Sequence, residues 1–339
     1  MRKFFITLAV LTLLFGGAAA YCGYEMFYGK SVTEDFSVRI TPRTDYSAVV
    51  EKVKKYCKYD WAFEYYAKYL DLENHLRVGT YLIFEEMSVM TIVRTLKYGE
   101  STTLRLTINN ARTPEALAKK IADKSDISEE AMLKALRDEN LVKEFGFDSA
   151  EAMFSIFIPN TYEFYSEITA EELVRKFKAE SDKFWATAEH QRGLDRCGLS
   201  PLEVMTLASI VHEETNAKSE MARIAGVYMN RLKKDMLLQA DPTVKYAMGD
   251  PTIKRILKRH LKVESPYNTY IHKGLPPTPI AMPDIAAIEA VLNYEVHDYL
   301  YFCARPEFDG KHNFARTDKE HAANARAYHE ALNTRNIKK

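Results

Sequence analysis

The chain has 339 residues, 47% of them hydrophobic, and sets 47 basic against 47 acidic side chains for a formal net charge of zero. That length and apolar content exclude a disordered protein and leave room for two folded units. The evenly interspersed charge leaves no basic footprint for nucleic acid.

Arg2 and Lys3 precede an uncharged run, Phe4 to Tyr24, which as a helix would span about 31 Å against a bilayer core of about 30 Å. It reads as a single membrane span with a cytoplasmic N-terminus, which puts everything after Glu25 outside the cytoplasm. A cleaved signal peptide ending at Ala18-Ala19-Ala20 is the rival reading. A lipoprotein is disfavoured because Tyr21, not a small residue, precedes Cys22. Either way the folded part is extracytoplasmic. Cys22, Cys57, Cys197 and Cys303 have neither CxxC nor Cys/His spacing, so no zinc site is indicated, and the three outside the apolar run, Cys57, Cys197 and Cys303, are expected to be free, buried thiols.

The fold class expected is α+β, divided into an anchor at 1–28, a membrane-proximal domain at 29–150 and a distal domain at 151–339. From Phe36 a strand-then-helix pattern occurs three times. Phe36–Ile40 leads into a helix near Thr44, Thr80–Phe84 into one capped by Ser88, and Leu104–Ile108 into one at Thr113-Pro114. The third unit continues with a helix capped by Ser128 and leaves room for a returning strand. Its order resembles a LysM module, a small fold that binds N-acetylglucosamine chains; as an alternative the region is a spacer.

In the distal part, Phe157–Phe164 reads as a turn with aromatic flanks, followed by an amphipathic helix from Thr169 through Trp185. The next helix, from Pro201, carries its own start signal: Ser200 as N-cap, Pro201 at N1 and Glu203 at N3 form a capping box. At 100° per residue, Glu214 returns to within about 20° of Leu207 and shares the apolar face of Ile210 and Val211. Glu213 and His212 project toward the flanks, Glu213 being the better solvated carboxylate. An acid among aliphatic side chains loses hydration when ionised, so the pKa of Glu214 should rise, which suits a general acid. A buried ion pair with Arg223 or Arg231 is the structural alternative.

Ser219 then caps an amphipathic helix bearing Met221, Ala225, Tyr228 and Leu232 on one face. Asp241, Pro242 and Gly249 spell a short helix, with Asp241 as its N-cap or, alternatively, a substrate contact. Tyr299–Ala304 and His312–Ala315 read as a hairpin, and Thr317 with Glu320 caps a terminal helix whose His321 and His329 face solvent. His212-Glu213 invites a metalloprotease reading, but the residue four after His212 is Asn216, so the second metal-binding His is missing. No G-x-S-x-G surrounds Ser209.

Six stretches together resemble the endolytic murein transglycosylases, or YceG-like family. They are Leu207–Thr215 (LASIVHEET), Val227–Leu232 (VYMNRL), Leu238–Val244 (LQADPTV), Tyr267–Tyr270 (YNTY), Gly274–Pro277 with Pro279-Ile280, and Tyr299–Phe302 (YLYF). In that family the second Glu of a Glu-x-Glu-Thr sequence is the catalytic acid, which maps onto Glu214. The first Glu is His212 here, which puts any auxiliary role at that position in doubt. The resemblance implies cleavage of the β-1,4 bond between N-acetylmuramic acid and N-acetylglucosamine, with no cofactor. It also implies Gln239 and Asn268 as amide partners of the sugar, Tyr267 and Tyr270 as pyranose platforms, and Asp241, Thr269 and Asn230 at the site, Asn230 being equally well structural. The implied partners are peptidoglycan glycan strands, the inner membrane, and the glycan-polymerising synthases, the penicillin-binding proteins. A catalytically silent glycan-binding scaffold is the alternative of another class.

Overall fold

The computed structural model describes residues 16–17, 20–41, 43–99, 103–109, 111–165, 168–250, 253 and 256–334. Most of the expected anchor at 4–24 lies outside them. Among the described residues no helix is long and apolar enough to cross a membrane. The chain forms two compact units, residues 1–105 with 163–168, and 106–162 with 169–339.

In the first unit, β1 (Phe36–Ile40) pairs antiparallel with β2 (Gly79–Ile83), Phe36 opposite Ile83 and Ile40 opposite Gly79. Helices Tyr46–Tyr56 and Asp60–Tyr69 run between the two strands, and Val89–Tyr98 follows β2. The expected succession of strand-helix units is therefore a strand pair that brackets two helices. The Ser88 cap is present, its Oγ accepting from the Thr91 N–H at 3.2 Å, whereas the first helix is capped by Asp45. The helix at Asp60–Tyr69 escapes a periodicity reading for a physical reason. Ala62, Phe63 and Ala67 are buried, but Trp61, Tyr65 and Tyr69 cover its outer face, so no polar stripe marks the solvent side. Val38, Ile40, Val53, Phe63, Ile83, Ile92 and Leu96 fill the core of this unit.

β3 (Thr103–Ile108) pairs with β4 (Asn160–Tyr165). β4 occupies the stretch expected to be a turn. Tyr162 and Phe164 are buried while Thr161 and Glu163 are exposed, the period of two that a half-buried strand requires. Residues 106–150 cluster with the distal residues, so the compact units do not divide at residue 150. Helix Glu129–Leu136, capped by Ser128, packs on helix Ala170–Trp185, whose Thr169 and Glu172 complete a capping box.

The second unit is built around helix Pro201–Glu214, flanked by Lys218–Lys233 and Ile285–Leu292. The Ser200/Glu203 capping box is formed in full. Val204 through Val211 are all buried, so the helix is enclosed on every side and its interior carries no separate polar face. Polar groups survive there only where they are satisfied. The Ser209 hydroxyl donates to the Thr206 carbonyl at 2.7 Å and accepts from the Ile280 N–H at 3.0 Å, which ties the proline-rich loop to the helix. The following helix starts at Lys218 after Ala217, without the expected Ser219 cap. Its Gly226 permits a close crossing: a Cβ there would lie 2.3 Å from the Glu295 carbonyl oxygen and 2.7 Å from His297 Nε2. β5 (Tyr301–Ala304) and β6 (His312–Ala315) form the expected antiparallel hairpin, and Thr317 and Glu320 cap helix Asp318–Thr334.

Candidate active site

Glu214 is the last residue of its helix, where the enclosed segment emerges from the core. Its Oε1 accepts a 2.7 Å hydrogen bond from the hydroxyl of Tyr228, a residue 1% exposed on the neighbouring helix. Burial raises the Glu214 pKa from 4.5 to about 7; the Tyr228 hydrogen bond opposes that rise, and the charges of Asp241 and Glu213 add to it. The side chain is partly open to solvent, yet densely enough surrounded that the lost hydration outweighs the one stabilising donor. A carboxyl in this state is protonated through mildly acidic pH and about half protonated near neutrality.

The ion-pair alternative is not realised. Arg223 holds Glu295 at 3.0 Å, and Arg231 donates to the carbonyls of Leu300, Leu237 and Leu238 and to Gln239 Oε1. Glu213, expected to be the solvated carboxylate, is instead bound by Arg112 at 2.7 and 3.0 Å with its side chain only 18% exposed.

Two cavities meet at Glu214. One, of about 430 Å³, is bordered by Tyr228, Arg231, Gln239, Asp241, Tyr270 and Tyr301 among others; the second, of about 380 Å³, by His212, Glu213, Asn216, Arg305 and Lys311. Glu214, Ala304 and His312 border both. A third cavity of about 590 Å³ opens beside Glu213, between Arg112, Lys245 and Tyr246, and is not bordered by Glu214.

Four of the residues picked out by sequence come together on the first cavity. Glu214 is joined by Gln239, Asp241 and Tyr270, whose hydroxyl donates to Asp241 Oδ1 at 2.7 Å. Gln239 sits at φ 54°, a left-handed conformation that a side chain adopts at a cost. Its Oε1 faces Arg231, which leaves its amide N–H groups for a ligand. Asp241 is not the expected N-cap. Ala240 holds that position, Asp241 is the first helical residue, and its carboxylate is turned to Tyr270. Gly249 closes the short helix at φ 64°, as its placement in the sequence implies.

The other four are spent within the protein. Asn268, fully buried, donates to the carbonyls of Leu261 and Val263 and accepts from the Tyr270 N–H, so its amide pins the loop that carries Tyr270. Thr269 accepts from the Ala240 N–H and bonds the Thr243 hydroxyl, holding Gln239 and Asp241 to the same loop. Tyr267 bonds Thr278 and packs on Tyr246 at 4.7 Å, and Asn230 donates to the carbonyls of His297 and Tyr299. These residues position the groove without facing it. Sequence reasoning passed over His312, Tyr301 and Asp318, which border the first cavity. His321, expected in solvent, borders it too. The bend of the β5–β6 hairpin over the groove joins residues about 100 positions away from Glu214, and no local pattern announces it.

The fold and site define a class of protein that presents one raised-pKa carboxyl where two cavities meet. The chain belongs to the YceG-like family, which it matches over residues 38–327. It is 30% identical to the endolytic murein transglycosylase of Bacillus subtilis, across 91% of this chain and 89% of that one. It is 27% identical to the endolytic murein transglycosylase of Streptococcus pneumoniae strain D39 across 79% of this chain, spanning about half (53%) of that longer protein. Among solved structures it resembles a yceG-like protein from Listeria monocytogenes, with a TM-score of 0.55 and 28% identity over 86% of this chain and 99% of the other.

Proposed function

We propose that the chain is a peptidoglycan lytic transglycosylase, a lyase that cuts glycan strands internally at the β-1,4 bond between N-acetylmuramic acid and N-acetylglucosamine. The observation that carries this reading is Glu214, about half protonated near neutral pH and shared by two cavities. The curated relatives that bear the name endolytic murein transglycosylase support it.

The chemistry needs one carboxyl group. Glu214 gives its proton to the glycosidic oxygen as the C1–O bond breaks. The muramyl C6 hydroxyl oxygen then bonds C1, and its proton returns to the Glu214 carboxylate, leaving a 1,6-anhydro end and consuming no water. Two cavities that share Glu214 suit a strand that continues past the cleaved bond. Gln239 offers its amide to acetamido or hydroxyl groups, and Tyr270 and Tyr301 offer rings beside the sugar.

The apolar run at 4–24 anchors the protein in the cytoplasmic membrane, with the folded part outside, and the LysM-like region binds the nascent strand beside the synthases that polymerise it. The charge pattern around that run and the strand-helix order of the membrane-proximal part support this placement. Digestion of sacculi tests the central claim by mass spectrometry. The wild-type protein should release 1,6-anhydro muropeptides and Glu214→Gln should release none. Reducing-end products would instead mark a hydrolase that uses Asp241 as its second carboxylate, and no products at all would mark a glycan-binding scaffold.

A further inference from the structure

Next to Glu214 stands an imidazole that the mechanism above leaves idle. His312 begins β6 and borders both cavities that meet at Glu214. Its Nδ1 lies 3.0 Å from Oε2 of Glu220, and the same carboxylate accepts the His312 backbone N–H at 3.1 Å. Glu220 is 4% exposed, on the first turn of helix Lys218–Lys233, and His312 is its hydrogen-bonding partner. A buried carboxylate on Nδ1 fixes the proton on that nitrogen, so that in the neutral ring Nε2 is the acceptor. Nε2 hydrogen-bonds no side chain among the described residues.

Two other histidines of this unit are bonded at both ring nitrogens. His190 binds the Phe184 carbonyl through Nδ1 and Glu289 through Nε2, and His297 meets the Tyr299 N–H through Nδ1 and the Arg223 carbonyl through Nε2. Those rings are brackets. His312, by contrast, is oriented from behind by a carboxylate and left open toward the groove, the arrangement of an orienting acid and a base in proton-transfer sites. Phe302, edge-on at 5.4 Å, confines the ring further.

We propose that His312 is a second catalytic residue, whose Nε2 binds the muramyl C6 hydroxyl and takes its proton, with Glu220 as the positioning residue. The inference rests on the transglycosylase reading above and divides the two proton transfers between two groups. As Glu214 protonates the leaving oxygen and the C1–O bond breaks, the C6 oxygen bonds C1 and its proton passes to Nε2. The imidazolium then returns that proton to the Glu214 carboxylate, so both groups end as they began and nothing is consumed. A base held on the attacking hydroxyl orients it as well as deprotonating it, and so acts before the bond forms.

The test uses the full-length protein in detergent with purified glycan strands, following anhydro ends. His312→Ala should lower kcat by about 10²–10⁴-fold, the usual worth of a positioned base, with KM little changed, and added imidazole should restore part of the rate. His312→Gln, which keeps an amide N–H for Glu220 but offers no base, should lose as much with an unchanged melting temperature and no rescue. Glu220→Gln should fall between wild type and His312→Gln. The proposal is overturned if folded His312→Gln stays within about threefold of wild type while Glu214→Gln is dead. It is equally overturned if His312→Ala is slow and imidazole restores nothing, since the ring would then only hold the hairpin. Should His312→Ala fail to fold, His312→Gln decides alone. A wild-type protein that makes no anhydro ends would bring down the underlying reading instead, and the two failures are thereby distinct.

Discussion

Replacing Glu214 by Gln should stabilise the protein at alkaline pH, a gain that follows from the same burial that makes the residue an acid. The carboxyl titrates near 7 in the folded chain against 4.5 when hydrated. Between those values the native state holds a proton that the unfolded state has released. The native state therefore binds more protons, and stability falls as pH rises through that window. A difference of about 2.5 units at 1.36 kcal/mol each is about 3 kcal/mol, and the partial solvent access of the side chain trims it to about 2–3 kcal/mol. Glutamine keeps the shape and an acceptor for the Tyr228 hydroxyl but has no charge to bury. Wild type and Glu214→Gln should melt together below pH 4.5 and diverge above it, the variant melting about 4–12 °C higher at pH 8 for a unit of this size. Thermal unfolding followed by circular dichroism at half-unit pH steps measures the divergence directly. If the two proteins differ by the same amount at pH 4 and pH 8, the carboxyl ionises as it would in water and the general-acid argument fails.

Two further perturbations probe the groups around it. Tyr228→Phe removes the donor that favours the ionised form of Glu214, so the alkaline limb of the activity profile should move to higher pH, while stability falls by about 1 kcal/mol; a limb that stays put or moves to lower pH would refute the assignment. Arg231→Met keeps the apolar stem but strands the Leu237, Leu238 and Leu300 carbonyls and frees Gln239. Urea unfolding should show a loss on the order of 3 kcal/mol, with weakened glycan binding as Gln239 loses its bracket.

Much of the distal domain is legible along the chain because its signals are local. A capping box at Ser200 and Glu203 sets the helix register whatever packs against it, and an Asp-Pro-Thr run closed by Gly249 spells the next short helix. The hairpin at 301–315 and the Thr317 cap are written the same way. Errors arise where an element depends on distant partners. β4 reads as a turn because Pro159-Asn160 punctuates its start, and it becomes a strand only through pairing with β3. Asp241 reads as a cap because Asp-Pro explains itself locally, yet Tyr270 from a loop 29 residues on takes its carboxylate. Asn268 and Tyr267 look like sugar contacts by type, but one has its amide consumed by loop carbonyls and the other lies against Tyr246 and Thr278.

Glu214 shows both halves of the matter. Register alone, set by a cap and by residues three and four apart, puts this acid at the end of an apolar helix, because helix geometry is dictated by nearest neighbours. The company it keeps is another matter. Tyr228 as its donor, Asp241 as the charge beside it, and the pairing of Glu220 with His312 across 92 positions all require the chain to have closed on itself. Hydrogen-bond partners and lost hydration are properties of packed surfaces, and no stretch of chain contains them until it is folded.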